Sequence, residues 1–278
     1  MKIDSHQHFW IFNTADYGWM GDNMSVIRKD HLPADLVKDQ ATIGFDGSVA
    51  VQARQSLEET RWLLKLASEN AVIKGVVGWV DLRSADLENQ LAEFTKHPKF
   101  VGVRHVVQDE PEDDFIIQPN FVKGVQLLRK YDLAYDILVF PKHLPNSVKL
   151  VEQCPDQTFV LDHIAKPLIK DGKISPWNKN IKHLAALPNV YCKVSGMVTE
   201  ADWATWKPED IYPYLDVVFA AFGSDRILIG SDWPVCRVAD DYKRVMDVVI
   251  HYIKNFTAAD QEKVLGGNAV KAYKLVMK

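Results

Sequence analysis

Short apolar runs alternate along the chain with longer stretches whose apolar side chains recur at three- and four-residue spacing. The first pattern belongs to strands and the second to amphipathic helices. Strands are predicted at 2–9, 47–52, 72–80, 100–107, 133–140, 158–163, 190–195 and 227–232. Several are apolar on both faces, as in a parallel sheet covered by helices. Helices are predicted between them: 34–40 behind Pro33, one capped by Ser56, one by Ser84, one by Asn120, one after Pro145, then 181–187, 213–222 ending at Gly223, and 241–254. Glu59 stands three residues after Ser56 and is expected to complete a capping box, with Leu57, Leu63, Leu64 and Ala67 as the buried stripe. Two short helices, capped by Thr257 and Asn268, finish the chain. Eight strand–helix units in this length predict an α/β fold, the (β/α)8 or TIM barrel, as one domain over 1–278. A doubly wound open sheet fits less well, because no glycine-rich dinucleotide fingerprint follows the first strand.

Composition narrows the class. The 278 residues are 47% hydrophobic and 25% charged, as expected of a soluble globular protein, and carry a net charge of −4. That acidic balance argues against nucleic acid or an anionic membrane as a partner. No apolar stretch is long enough to span a bilayer. No signal peptide precedes Asp4, and Cys154, Cys192 and Cys236 are scattered and odd in number. A reducing, cytoplasmic setting without disulfides is the expectation. A homo-oligomer is left open by the sequence.

In a (β/α)8 barrel, chemistry gathers at the carboxyl ends of the strands. The first predicted strand ends in His6 and His8, which alternation puts on one face with Asp4 behind. The second ends at Gln52 with Arg54 beyond, the third at Trp79 and Asp81, the fourth at Arg104 and His105. The sixth ends at Asp162 and His163 with Lys166 close by, and the eighth at Ser231, Asp232 and Trp233. A purely structural barrel does not need this density of ionisable groups at one end, so these positions are the candidate active site. Trp10, Trp79 and Trp233 fall just after strand ends, where the site is expected to open, and Gln52, Arg54 and Lys166 are further candidate substrate contacts. The aromatic-rich loop from Trp10 to Lys29 is long enough to suggest function, whereas the acidic loop 109–114 reads as a solvated turn.

Asp4-Ser5-His6-Gln7-His8 resembles the opening motif of the amidohydrolase superfamily, and Asp162-His163 and Gly230-Ser231-Asp232-Trp233-Pro234 match its later signatures. Leu265-Gly266-Gly267-Asn268-Ala269 resembles the usual ending of its "amidohydrolase 2" branch. Within that branch, Gly78-Trp79-Val80-Asp81-Leu82, Gly102-Val103-Arg104-His105 and His163-Ile164-Ala165-Lys166-Pro167 are similar to sugar-acid lactonases of the L-fuconolactonase and L-rhamnonolactonase type. The resemblance implies an amidohydrolase-type barrel that opens a small-molecule sugar lactone. Two departures bear on cofactors. Strand four ends in Val103-Arg104-His105 without the lysine that bridges two metals, and strand five carries no histidine. The resemblance therefore leaves room for one zinc or other divalent ion on His6, His8 and Asp232, and equally for hydrolysis without a metal.

Opening a lactone needs a polarised carbonyl, an activated water and a proton for the leaving alkoxide. Asp232 is expected to be the general base, and His163, Arg104, His6 and His8 the stabilisers of the oxyanion. His105, Trp79, Gln52, Lys166 and Trp233 complete the expected substrate contacts. The rival readings are a pyrone-dicarboxylate-type lactonase, a metal-dependent decarboxylase of the same superfamily, and a non-catalytic sugar-binding barrel.

Overall fold

A computed structural model describes residues 1–276 of the chain. Eight strands follow one another in a parallel sheet: β1 Ile3–Gln7, β2 Gly47–Val51, β3 Ile73–Gly78, β4 Phe100–His105, β5 Ala134–Ile137, β6 Phe159–Leu161, β7 Val190–Val194 and β8 Ile227–Ile229. The sheet closes where β1 meets the chain after β8. His8 N donates to Trp233 O at 2.7 Å, Asp232 N to His6 O at 2.8 Å, and Ser5 Oγ to Ile229 O at 2.7 Å. The outer helices are α1 Pro33–Ala41, α2 Leu57–Glu69, α3 Leu87–Phe94, α4 Pro119–Leu128, α5 Leu144–Glu152, α6 Trp177–Ala185, α7 Pro208–Phe222 and α8 Tyr242–Tyr252, followed by α9 Ala258–Glu262 and α10 Asn268–Ala272. The expected (β/α)8 barrel is the observed fold. Among the described residues no helix is long and apolar enough to cross a membrane, and all three cysteines are buried and free.

Two apolar layers hold it. The larger lies between strands and helices, with Val76, Val103, Tyr135, Leu161, Val194 and Ile229 among its strand members. The smaller fills the floor of the barrel, where Ile3, Val49, Val77, Ala134, Val160, Tyr191 and Leu228 meet Ala269, Ala272 and Tyr273 of the C-terminal segment. That floor sets up the site above it. Two residues further along three strands, on the same face, stand Asp136, Asp162 and Lys193, so a fully buried charged layer rests on an apolar one.

Local signals were read with mixed accuracy. Ser56 accepts from Glu59 N at 3.1 Å as predicted, but no reciprocal capping box forms. Glu59 instead turns its carboxylate to Ala53 N and Arg54 N, at 2.9 and 2.7 Å. Ser84 caps no helix; its Oγ accepts from Asp86 N in the turn before α3. Asn120 lies inside α4, behind Pro119, and Pro213 lies inside α7, which starts a turn and more earlier than predicted. Asn268 does not cap either; its amide donates to Ser224 O and Ile227 O and ties α10 to the start of β8. Glu59 and Asn268 bond non-local backbone in place of a helix cap, whereas Ser84 keeps a local bond two residues ahead. Thr257 and Asp241 cap α9 and α8.

Candidate active site

At the carboxyl end of the barrel, the ends of three strands, β1, β6 and β8, meet around one carboxylate. Asp232 Oδ1 lies 3.3 Å from His8 Nε2, 3.7 Å from His6 Nε2 and 4.0 Å from His163 Nε2. His6 and His8 project from the end of β1 with their Nε2 atoms 3.1 Å apart. Arg104, at the end of β4, donates to Asp162 Oδ2 at 3.0 Å and approaches His6 Nε2 at 3.4 Å. Asp4 secures the turn beneath, accepting from Ser231 N and Ser231 Oγ at 2.9 and 2.6 Å.

The backbone is bent to present these groups. Asp232 has φ 58°, and His163, Ile164, Ala165 and Lys166 all have φ between 49° and 60°. Non-glycine residues rarely adopt this left-handed conformation, and it concentrates at functional sites. His163 is steadied by Ser195 Oγ, 2.9 Å from its Nδ1. Room for its ring comes from Gly196: a Cβ there would fall 2.4 Å from His163 Nδ1 and 3.1 Å from Asp232 Oδ2, and its φ of 60° also favours glycine.

Burial and neighbours set the charge states. Burial alone would favour a neutral Asp232, but His163, His8 and His6 around it hold the carboxyl well below its usual range. Burial lowers His163 to about 4, against the pull of Asp232 and Asp162. Burial likewise keeps His6 well below the usual imidazole range. At neutral pH the site thus holds an ionised carboxylate beside the neutral imidazoles of His6 and His163. His8 Nδ1 lies 2.8 Å from Val51 O, which can only accept, so Nδ1 carries a proton and Nε2 faces the site.

Beneath this ring lies the charged layer, which the sequence reading missed. Lys193 of β7 is fully buried, with Nζ 2.5 Å from Asp136 Oδ2, 2.9 Å from Asp162 Oδ1 and 3.2 Å from His6 Nδ1. Tyr273 donates to both oxygens of Asp136 from the floor. Burial raises Asp136, whereas Lys193, His6 and Arg104 overcome burial and keep Asp162 ionised. The available signal was a lysine between Cys192 and Val194 in an otherwise apolar strand.

A cavity of about 480 Å³ opens over this floor, lined by His8, Arg104, His163 and Asp232 below and by Trp10, Trp19, Arg54 and Lys166 higher up. The loop 10–29 supplies one wall, held down by an apolar cluster of Trp10, Tyr17, Met20 and Ile27. A hollow of about 530 Å³ on the outer face, between Ile169 and Tyr214, has no comparable group of buried polar side chains.

Several predicted substrate contacts lie outside the cavity. Trp233 is fully buried, donating to Asp39 Oδ2 at 3.0 Å and packing on Phe9 and His31, because the chain turns outward after Asp232. Trp79 donates to His105 Nδ1 at 3.3 Å, and His105 stacks on Phe115 and pairs with Glu110 at 2.6 Å, so both brace the β4 loop. Gln52 exchanges bonds with the Arg104 backbone and guanidinium, and positions that side chain from below. The acidic loop is not simply solvated: Glu110 anchors His105 and Asp109 reaches the cavity wall. Of the expected substrate contacts, Arg104 and Lys166 face the cavity, with Trp10 and Arg54 beside them.

His6, His8 and Asp232 bring one donor atom each within 4.8 Å of one another, as a divalent cation would require. His8 fits such a role, since its outer nitrogen is already held by a carbonyl. His6 fits if its Nδ1 proton goes to Asp162 Oδ1, 3.3 Å away.

A parallel barrel with buried imidazoles and carboxylates gathered at the carboxyl ends of its strands has the layout of a (β/α)8 enzyme active site. Residues 3–275 match the amidohydrolase family, and the chain belongs to it. It is 40% identical over 286 residues to an L-fucono-1,5-lactonase of Burkholderia multivorans, with 99% of this chain and 96% of that protein covered. An L-fucono-1,5-lactonase of Burkholderia ambifaria is 37% identical, with 99% and 96% covered. The crystal structure of a Burkholderia multivorans amidohydrolase with bound zinc superposes with a TM-score of 0.96 at 39% identity, covering 99% of this chain and all of that one.

Proposed function

We propose that this enzyme opens a sugar-acid lactone, of the L-fucono-1,5-lactone or L-rhamnonolactone kind, to the free acid. The observation that carries the reading is the single ionised carboxylate of Asp232 within 4.0 Å of three imidazoles, at the base of a cavity of sugar size. The names of the lactonase relatives point to the same chemistry.

Asp232 takes a proton from water, and the water oxygen bonds to the lactone carbonyl carbon. Negative charge develops on the carbonyl oxygen, facing Arg104, His163 and the pair His6 and His8. The ring C–O bond then breaks, and Asp232 returns the proton to the departing alkoxide. Trp19, exposed at the cavity mouth, offers an aromatic face to the apolar side of the sugar, while Arg54 and Lys166 reach its hydroxyls. A divalent cation on His6, His8 and Asp232 would supply Lewis-acid polarisation of the carbonyl. Free, buried cysteines favour a reducing, cytoplasmic setting.

A neutral lactone suits the cavity better than a dicarboxylate. Each cation facing it is already paired: Arg104 with Asp162 at 3.0 Å, Arg54 with Asp16 at 2.7 Å, Lys166 with Glu200 at 3.9 Å. The test is a panel of aldonolactones and a pyrone dicarboxylate, followed by acid release with a pH indicator. Turnover of one or more aldonolactones is expected. Turnover of the dicarboxylate alone, or of nothing in the panel, would defeat the proposal.

A further inference from the structure

We propose that Glu59 is a positioning residue: its buried carboxyl clamps residues 51–54, the stretch that orients Arg104 and carries Arg54 into the cavity wall. The inference rests on the lactone-opening reading of the site and adds to it the group that sets both of its arginines.

Strand β2 ends at Val51, and Gln52 N still donates to Val77 O of β3 at 2.8 Å. The next two amides find their acceptor outside the sheet. Ala53 N and Arg54 N both donate to Glu59 Oε2, at 2.9 and 2.7 Å. Glu59 is buried in the first turn of α2, and that turn is itself fixed. Ser56 Oγ accepts from Glu59 N at 3.1 Å. Thr60 Oγ1 donates to Trp79 O and accepts from Trp79 N, each at 2.8 Å, just beyond β3. Glu59 Oε1 lies 3.8 Å from Arg54 Nε, outside hydrogen-bond reach, so Glu59 grips backbone rather than the guanidinium.

The clamped stretch serves the cavity along its whole length. Val51 O accepts from His8 Nδ1 at 2.8 Å. Gln52 O accepts from Arg104 Nη2, and Gln52 Nε2 donates to Arg104 O at 3.3 Å. Ala53 and Arg54 line the wall. The Arg54 head is held from the 10–29 loop, by Asp16 Oδ2 at 2.7 Å and by the Tyr17 ring, 5.7 Å from its centroid. Glu59 holds the Arg54 amide. A shift of this stretch therefore moves Arg104 and Arg54 together, and a misplacement of about 1 Å costs on the order of a hundredfold in rate.

The clamp requires an acceptor at the right reach, not a charge. The amide oxygen of glutamine can take both N–H bonds, whereas methionine, of similar length, offers only a weak sulfur acceptor. Aspartate keeps the charge and falls one methylene short.

The test measures kcat and KM for an aldonolactone that the wild type opens, on Glu59→Gln, Glu59→Met and Glu59→Asp, each checked for folding by circular dichroism. Glu59→Gln should keep kcat/KM within about threefold of wild type, and Glu59→Met should lose about thirtyfold or more. Both constants should move in Glu59→Met, kcat falling through Arg104 and KM rising through Arg54. In an Arg54→Met background the further rise in KM should disappear while the fall in kcat persists. A residue that only stabilised the fold would lower Tm in Glu59→Met and leave kcat and KM of the folded enzyme unchanged, and that result would overturn the proposal. So would a Glu59→Gln enzyme as impaired as Glu59→Met, or a KM effect that adds in full to that of Arg54→Met. If Glu59→Met does not fold, Glu59→Asp decides: a loss of about tenfold or more in kcat/KM is expected, and wild-type constants overturn the proposal. A wild type that opens no aldonolactone defeats the lactone reading instead, and this inference with it.

Discussion

Asp232 and His163 owe their positions to backbone angles that their side chains do not favour. Asp232 at φ 58° and His163 at φ 53° sit in the left-handed region, and each is overdetermined by neighbours: Asp232 N by His6 O, His163 Nδ1 by Ser195 Oγ. Asp232→Asn keeps the size and the backbone bond but removes the base. Turnover of a sugar lactone should fall about a thousandfold or more, with circular dichroism unchanged. Near-normal turnover would mean another group activates water. Gly196→Ala acts differently. Its added methyl would fall 2.4 Å from His163 Nδ1, so the ring must move. We expect kcat/KM to drop roughly a hundredfold, and stability to fall by about 1–2 kcal/mol from the left-handed φ. Wild-type kcat/KM in this variant would show that the His163 position is not critical. The convergence of Asp232, His163, His6 and His8 was legible in the sequence because each stands at the carboxyl end of a predicted strand. Lys193 was not, because its meaning depends on Asp136, Asp162 and His6, which approach it from three other strands.

At the scale of elements, strand–helix alternation was readable and fine boundaries were not. Predicted strands ran one to three residues too far at their carboxyl ends, where the chain leaves the sheet to build the site loops. Strand β6 ends at Leu161, and Asp162 and His163 already belong to the turn. Start signals failed where a side chain found a partner other than its helix end. Glu59 is the clearest case: it bonds the backbone after β2, and its neighbour Arg54 lines the cavity. Burial raises Glu59 to about 7, against the opposing backbone bonds and the charges of Arg54 and Arg104. Folding therefore favours its protonated form. That contribution is complete below the ordinary value of 4.5 and is lost as pH rises through 7. Glu59→Gln should remove this slope, so the wild type's advantage in Tm over the variant should be larger at pH 5 than at pH 8. A difference independent of pH would show that Glu59 does not titrate in this way.

For the whole molecule, the arrangement of charge matters more than its total. The net charge of −4 is modest, and the cations at the cavity are paired one by one with carboxylates. A neutral lactone should accordingly bind with a KM that changes less than about twofold between low and near-molar salt, since screening acts on charged encounters. A steep rise of KM with salt would instead indicate an anionic substrate. The sequence by itself determined the eight-unit barrel, the end of it that carries chemistry, and most of the groups on the site floor. Periodicity and strand-end position are local properties, written in adjacent residues. Only the tertiary structure decided which tryptophan is open at the cavity, where Trp19 is exposed and Trp10 and Trp233 are fully buried. It alone assembled Asp136, Asp162 and Lys193 into a buried layer under the imidazoles. Both outcomes depend on strand tilt, loop path and barrel closure, which bring together side chains that share no sequence neighbourhood.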